Sequence, residues 1–292
     1  IERVITDSRK AQSGDLFVAL KVMTRNRRLV WEKEGLSATV TVVESGGELY
    51  LKVNGKSAAS SHEDLRTHSL LSHLPLLLHP APERALLIGI GSGVTLGAAE
   101  DHPLTHIEAV ELLPEVVQAA QLFSRANGDA FADPRAHVHV ADGRNHLAHT
   151  DGTFDVIVSQ PSNLWIAGMA DLFTVEFFEQ TRAHLNPGGV MCTWIQAYAM
   201  RAQDFRTLVR GFRAVYPHAQ LWESLPGGDY FLLGADTPID LDLAVLQARS
   251  RERGVDADLR RIGVGGLDQV LHAFALDGAG LDAFAGDGPL NT

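Results

Sequence analysis

The first part of the chain shows the alternation of apolar and polar residues that is typical of antiparallel strands. Residues 29 to 58 contain the segments SATVTVVE and GGELYLKVNG, which meet at a Gly-Gly pair. Such a pair supports the backbone of a tight turn, so the pattern predicts a β-hairpin. Residues 63 to 78 carry leucines at helical spacing and predict a helix that Pro75 interrupts. We therefore expect an N-terminal β-strand module with a connecting helix over residues 1 to 80.

From residue 84 onward, short apolar runs alternate with helical stretches. The runs are ALLIGI, HIEAVEL, AHVHVA, DVIVSQ, GVMCTWI and YFLLG. Strands that alternate with helices form a mostly parallel sheet that is covered on both faces. The sequence therefore predicts an α/β domain over residues 81 to 240. Residues 241 to 292 are polar and then rich in glycine, and we expect a truncated helical extension there.

Three glycines follow the first strand of this domain, in the stretch LLIGIGSGVTLGAAE. Gly89, Gly91 and Gly93 stand between a strand and a helix, where the backbone of an α/β sheet can approach a ligand. A dinucleotide-binding G-x-G-x-x-G motif would need glycine at the position of Val94. The observed G-x-G-x-G spacing is typical of S-adenosylmethionine-binding folds instead. The turn thus predicts a Rossmann-like fold of the S-adenosylmethionine-dependent methyltransferase type.

Two acidic residues end the strands that follow the glycine turn. Glu111 ends the segment IEAVE, which is the usual place for a carboxylate that receives both ribose hydroxyls. Asp142 ends the next strand, where it can accept the adenine amino group while Gly143 lets the ring approach. Because the carboxyl ends of parallel strands share one edge, we expect these residues to surround a single nucleoside site.

Composition narrows the classes of partner and compartment. The chain of 292 residues carries a net charge of −11 with a pI near 5.6, so we expect no nucleic-acid partner. Cys192 is the only cysteine, which excludes an internal disulfide and favours a reducing compartment. The sequence contains no apolar run of the roughly 20 residues that a membrane helix needs. We expect a cytoplasmic location. The two ends of the chain look like those of a piece excised from a longer protein, and we expect that protein to contain a membrane portion.

The order of motifs resembles that of the spermidine synthases (polyamine aminopropyltransferases) over residues 35 to 235. The matching segments are EDLRTHSLLSHLPLLLHP, LLIGIGSG, AVELLPEVV, DPRAHVHVADGRNHL, FDVIVSQPSN, LFTVEFFE and LNPGGV. The resemblance implies a small β-domain on a methyltransferase-type domain, and a homodimer is one expected assembly. It is strongest to a bacterial branch in which the domain can be fused to a membrane transporter-like region.

The resemblance implies transfer of an aminopropyl group from decarboxylated S-adenosylmethionine to a small-molecule amine, with no metal. The nucleoside half of the family pattern is retained in the glycine turn and in Glu111, Asp142 and Gly143. The amine half is degenerate. Ser92 stands where the family has an aspartate that holds the aminopropyl ammonium, and Gln160 stands at the catalytic aspartate.

Further positions of the amine half also depart from the family. Asn163 replaces a second aspartate, and of a Tyr-His-Glu triplet only His68 remains. Trp165 is a candidate lid residue, and we assign it with His68 and Asn163 to the substrate side. Asp229 lies at a turn where it can hold a cation, although an exposed acid is the commoner case.

Gln160 leaves the activity open because a carboxamide cannot accept a proton at useful pH. An amine of pKa near 10 would lose its proton to water at a cost of about 4 kcal/mol at pH 7. Two alternatives therefore remain: a methyltransferase that uses intact S-adenosylmethionine, and a non-catalytic nucleoside-sensing domain.

Overall fold

The structure is a computed structural model, and the parts of the chain that it describes are residues 27–161, 169–198, 200–252 and 254–292, with the backbone of residues 4–5 and 16–17. The described strands form three sheets, of two, four and eight strands. The smallest is a parallel pair of two-residue strands, β1 (Val4–Ile5) and β2 (Leu16–Phe17).

A four-stranded antiparallel sheet forms the N-terminal domain. Its strands, in spatial and chain order, are β3 (Arg27–Glu34), β4 (Thr39–Ser45), β5 (Glu48–Val53) and β6 (Lys56–Ser60). The predicted hairpin is confirmed as β4 and β5, which pair from Ser45 and Glu48. Gly46 and Gly47 make the turn with φ of 64° and 87°, values that favour glycine. The hairpin is extended on both sides, so the domain is a complete small sheet.

The eight-stranded sheet confirms the predicted α/β class. Its strands are β7 (Arg84–Ile88), β8 (His106–Glu111), β9 (Ala136–Val140), β10 (Phe154–Ser159), β11 (Leu185–Gln196), β12 (His218–Leu225), β13 (Asp229–Ala235) and β14 (Phe274–Asp277). Their spatial order is β14-β12-β13-β11-β10-β7-β8-β9. The five strands β11, β10, β7, β8 and β9 run parallel to one another. At the other end of the sheet, β13, β12 and β14 are added by antiparallel pairing, each to its neighbour. The carboxyl ends of the parallel strands therefore share one edge.

Helices cover the large sheet and connect its strands. They are α1 (Leu65–Leu78), α2 (Val94–Glu100), α3 (Pro114–Ala120), α4 (Ser124–Asn127), α5 (Gly143–His149), α6 (Val175–Ala183), α7 (Ala202–Val215), α8 (Leu243–Ser250), α9 (Val255–Arg261), α10 (Leu267–Leu271) and α11 (Gly278–Ala285). The expected helical extension contains four of these helices, and it also contains β14, which pairs with β12 at the sheet edge. That strand was not predicted because its four residues carry no strand pattern of their own.

Helix α1 is buried on every side, and the predicted interruption at Pro75 is wrong. Residues 67–78 are all buried, since α1 packs on the sheet with one side and against α8 and α9 with the other. The helix continues through Pro75, whose carbonyl accepts the His79 N–H at 3.0 Å. A proline forfeits one backbone hydrogen bond, and the surrounding packing outweighs that loss here. Full burial also places polar side chains of α1, including His68 and His73, in the interior.

The N-terminal sheet packs on the large domain beside the carboxyl ends of the parallel strands. Val40, Val42 and Leu51 of that sheet contact Val94 on α2 and Val116 on α3 in one apolar cluster. This contact places the small sheet over the glycine turn. Among the described helices, we find none with the length and hydropathy that crossing a membrane requires.

Candidate active site

A cavity of about 230 Å³ opens where β7, β8, β9 and β10 end. The N-terminal sheet contributes a wall that includes Leu51, Val53 and Asn54. The other wall contains six of the residues predicted from the sequence, namely Gly89, Gly91, Glu111, Asp142, Gly143 and Gln160. The structure thus brings together most of the expected nucleoside site.

Glu111 fastens the glycine turn to the end of β8. Its Oε2 accepts the Ile90 N–H and its Oε1 accepts the Leu113 N–H, both at 3.0 Å. Burial raises the pKa of the Glu111 carboxyl, although nearby backbone N–H groups favour its ionised form. Each carboxylate oxygen has a second lone pair, so the same group can also accept hydroxyl hydrogens from the cavity. Its role in holding the turn was not predicted.

Asp142 caps helix α5 at the cavity wall. Its Oδ1 accepts the backbone N–H groups of Arg144 and Asn145, each at 3.0 Å. One carboxylate oxygen is enough for this cap, which leaves Oδ2 as an acceptor for a ligand. A Cβ built at Gly143 would lie 2.5 Å from Cγ2 of Ile88, so this position requires glycine. The capping role and the predicted ligand role of Asp142 are compatible.

The glycine turn divides into a cavity side and a helix side. A Cβ built at Gly89, where φ is +94°, would lie 2.6 Å from the carbonyl oxygen of Gln160. Gly93 instead contacts Asn127, whose Nδ2 donates to the carbonyl of Ser92 at 2.9 Å. Ser92 is fully buried, and its hydroxyl has no partner within the described part of the chain. Ser92 and Gly93 thus support the turn from outside the residues that line the cavity.

Gln160 is held at the end of β10 by a contact that the sequence did not suggest. Its Oε1 accepts a hydrogen bond from Oγ1 of Thr95 on α2 at 2.6 Å. The backbone N–H of Gln160 donates to the carbonyl of Ile88 at 2.8 Å. Because the side-chain oxygen is engaged, the amide NH2 beside Gly91 is the group left to face a ligand. Gln160 therefore presents a donor where a catalytic base would present an acceptor.

His68 lies next to the cavity in an apolar setting. Neither of its ring nitrogens has a hydrogen-bond partner among the described residues, and its ring meets Trp194 edge-on at 5.4 Å between centroids. Burial lowers the pKa of His68, which favours the neutral imidazole. Trp194 itself lines the cavity, so it separates His68 from that space.

Trp194 and Asp229 form a pair that sequence reasoning did not find. The indole Nε1 donates to Oδ1 of Asp229 at 3.0 Å, and Oδ2 of Asp229 accepts from the Thr67 hydroxyl at 3.0 Å. Asp229 is buried, which raises the pKa of its carboxyl. Asp229 is therefore not an exposed acid, and both of its carboxylate oxygens already accept hydrogen bonds from the protein. The predicted substrate residues Asn163 and Trp165 lie outside the described residues.

The sheet order and the cavity at the strand ends define a Rossmann-like fold of the methyltransferase type. A spermidine synthase from Thermotoga maritima has a similar structure, with a TM-score of 0.72 at 22% identity over 85% of this chain and 84% of that one. The family model described as "Spermine/spermidine synthase domain" matches residues 64–224, which is more than half of the chain. The chain belongs to this family.

Curated relatives agree with the family match. A polyamine aminopropyltransferase from Erwinia tasmaniensis is 30% identical over 217 residues, which cover 70% of this chain and 75% of the relative. A spermidine synthase from Dictyostelium discoideum is 27% identical over 183 residues, which cover 61% of this chain and 64% of the relative. The chain thus spans slightly less than two thirds of the length of the Dictyostelium protein.

Proposed function

We propose that the chain binds an S-adenosyl-type nucleoside and transfers the aminopropyl group of decarboxylated S-adenosylmethionine to a small amine. The observation that carries this proposal is the convergence of Glu111, Asp142 and the glycine turn on one cavity. Membership of the synthase family adds the class of reaction. The amine half of the site differs from the family pattern, and we propose slow turnover for that reason.

The nucleoside-binding part of the site supplies one carboxylate for the ribose hydroxyls of adenosine and one for the amino group of its adenine. Glu111 would accept hydrogen bonds from the ribose hydroxyls while it continues to hold Ile90 and Leu113. Asp142 would accept the adenine amino group through the oxygen that does not cap α5. Gly143 carries no side chain, so its backbone can lie close to the base, while Ile88 packs against its other side.

The transfer step needs a neutral amine. The amine nitrogen attacks the carbon beside the sulfonium, a C–N bond forms as the C–S bond breaks, and the thioether leaves with the electron pair. The new ammonium then loses a proton to water. Gln160 cannot remove a proton before the attack, so the amine must be deprotonated in solution, which costs about 4 kcal/mol for a pKa near 10 at pH 7.

Among the described residues that line the cavity, those beside Trp194 offer little to a second positive charge. The Trp194 indole forms the wall, and each oxygen of the buried Asp229 already accepts one hydrogen bond, from Trp194 or from Thr67. Burial lowers the pKa of His68, which favours its neutral form, and its ring meets the same indole edge-on. We therefore propose an acceptor whose remote end is less charged than that of a long polyamine.

Calorimetry with three ligands tests the proposal. We expect decarboxylated S-adenosylmethionine to bind more tightly than S-adenosylmethionine and methylthioadenosine, and to release methylthioadenosine slowly when an amine is added. Preference for the intact form would favour methyl transfer instead. Equal tight binding of all three without turnover would favour nucleoside sensing.

A change in the ligand tests the role of Glu111 without altering the protein. Methylthio-2′-deoxyadenosine lacks one ribose hydroxyl, and we expect it to bind at least about tenfold more weakly than methylthioadenosine, since a hydrogen bond to a charged group contributes about 1.5–3 kcal/mol. Equal affinities of the two nucleosides would overturn the ribose contact of Glu111, and no binding of either would overturn the nucleoside assignment.

A further inference from the structure

Three metal-ligating side chains from distant parts of the sequence meet at the end of α2 that is remote from the glycine turn. His73 lies on α1, Asp101 ends α2, and Asp258 lies on α9. The ligand atoms of these residues all lie within 4.8 Å of one another. Asp258 also lies beyond the segment that the family model matches, so the cluster joins that segment to the C-terminal helices.

The geometry of His73 resembles that of a metal ligand. Its Nε2 lies 2.9 Å from Oδ2 of Asp258, a hydrogen-bond distance. Two ligands of one tetrahedral ion with bonds of about 2.1 Å lie about 3.4 Å apart, so these atoms need to separate by only about 0.5 Å to share an ion. The side chain of His73 is fully buried, and its Nδ1 lies 2.9 Å from Nε2 of His102. Metal-binding histidines commonly use their other ring nitrogen in such a hydrogen bond, which fixes the ring orientation.

The two carboxylates face a cavity through which an ion can arrive. Asp101 and Asp258 line a space of about 340 Å³ together with Glu100. Oε1 of Glu100 is buried and has no hydrogen-bond partner in the described part of the chain, so this wall holds an unmet acceptor. Arg261 pairs with Oδ1 of Asp258 at 2.7 Å and leaves Oδ2 to His73. The two carboxylates bring two negative charges to a divalent ion, and Arg261 offsets part of the charge of Asp258.

The backbone holds Asp101 against α9. A Cβ built at Gly254 would lie 2.1 Å from Oδ1 of Asp101, so the Asp101 carboxylate packs directly against the backbone at the start of α9. An ion between Asp101 and Asp258 would therefore bind groups that the fold already holds close together. The remaining adjustment is an inward rotation of the Asp101 side chain.

We propose that His73, Asp101 and Asp258 bind one divalent transition-metal ion that ties α9 to α1 and α2. Imidazole and carboxylate together suit zinc, and the cavity leaves room for water as a further ligand. The ion is structural, since it lies at the opposite end of α2 from the nucleoside cavity. This assignment is independent of the proposed reaction.

Zinc titration of the chelator-treated protein, followed by calorimetry, tests the site. We expect one ion to bind to the wild-type protein. Both Asp101→Asn and Asp258→Asn should raise the dissociation constant of zinc at least about tenfold. Asp256→Asn is the matched control because Asp256 lies on the same helix and is exposed. A second control is His146→Gln, because His146 lies 2.9 Å from Glu108, a carboxylate that His106 also contacts at 3.0 Å and that could compete for zinc.

The outcomes separate the alternatives. Failure of the wild-type protein to bind zinc, or equal affinity in Asp101→Asn and Asp256→Asn, would overturn the proposal. Loss of binding in His146→Gln with retention in Asp101→Asn would place the ion at Glu108 and also overturn it. Where a variant loses its helical circular dichroism, zinc-induced shifts of the wild-type histidine ring resonances decide. Shifts at His73 and His102 support the site, and shifts elsewhere contradict it.

Discussion

The side-chain oxygen of Gln160 lies 2.6 Å from the hydroxyl oxygen of Thr95, and this bond fixes which end of the carboxamide faces the cavity. Thr95 is the second residue of α2, so the helix that begins at the glycine turn also orients the residue at the end of β10. The donor end of Gln160 is thereby directed to the cavity, at the position where the resemblance predicts a base.

Gln160→Glu should convert that donor into an acceptor without changing the size of the side chain. One carboxylate oxygen would keep the Thr95 hydrogen bond, and the other would replace the amide nitrogen beside Gly91. General-base catalysis contributes about 10²–10⁴-fold, so we expect aminopropyl transfer at pH 7 to rise at least tenfold. Release of methylthioadenosine measures the rate.

The pH profile of the same reaction supplies the control for that variant. In the wild-type protein the rate should rise about tenfold per pH unit below the amine pKa, because only the neutral amine reacts. Gln160→Ala should keep this slope, and Gln160→Glu should flatten it. Equal rates and slopes in the two variants would show that a base at this position does not limit turnover.

Gly89→Ala should destabilise the fold more than Gly47→Ala does. Both glycines have positive φ, of 94° and 87°, so the backbone strain of an added Cβ is similar and costs about 1–2 kcal/mol. At Gly47 no atom lies within 4 Å of the new Cβ, whereas at Gly89 the carbonyl oxygen of Gln160 lies 2.6 Å away. We expect about 1–3 kcal/mol of additional loss at Gly89 from this overlap.

Urea unfolding of the two glycine variants measures the difference. Nucleoside affinity should fall in Gly89→Ala. It should stay at the wild-type value in Gly47→Ala, since Gly47 is exposed in the β4–β5 turn and does not line the cavity. Similar stability losses in both variants would contradict the close approach of the glycine turn to β10.

Local signals account for the part of the site that the sequence predicted. Gly89, Glu111 and Asp142 each end or follow a strand, and parallel strands bring their carboxyl ends to one edge whatever the details of packing. The Gly-Gly hairpin is likewise set by four or five consecutive residues. These features depend on short stretches, so a single sequence reveals them.

Contacts between distant elements account for what was not predicted. Trp194 meets Asp229 because β11 and β13 pair antiparallel, and no local pattern specifies that register. The continuation of α1 through Pro75 depends on α8 and α9, which cover it from more than 160 positions later in the chain. Such contacts result from tertiary packing, which outweighs the local preference of proline.

Asp142→Asn should separate the capping role of Asp142 from its ligand role. Asparagine caps helices about as well as aspartate, so its oxygen would retain the bonds to Arg144 and Asn145. Its amide would then direct hydrogens toward the adenine amino group, and we expect nucleoside affinity to fall about tenfold. Asp142→Ala should show the same loss of affinity together with about 1 kcal/mol of lost stability. Unchanged affinity in Asp142→Asn would remove Asp142 from the ligand site.

Asp155 offers a test of the pH dependence of stability away from the cavity. Its Oδ2 accepts the Glu83 and Arg84 N–H groups at 2.8 and 2.9 Å, and its Oδ1 accepts from Asn186 at 2.8 Å. Burial raises the pKa of this carboxyl, but the three hydrogen bonds outweigh burial and lower it overall. A lowered pKa in the folded state means that the stabilisation is present above the unfolded value, near 4, and is lost as the pH falls through the folded value.

Asp155→Asn should therefore lose about 1 kcal/mol at pH 7, a small figure because the group is only half-buried and solvent screens part of the interaction. The difference from wild type should shrink as the pH falls below 4, because protonation weakens the same three hydrogen bonds in the wild-type protein. Urea unfolding between pH 7 and pH 3 measures it, with the exposed Asp151→Asn as control. A stability difference that stays constant down to pH 3 would mean that the ionised form of Asp155 does not hold β10 to the start of β7.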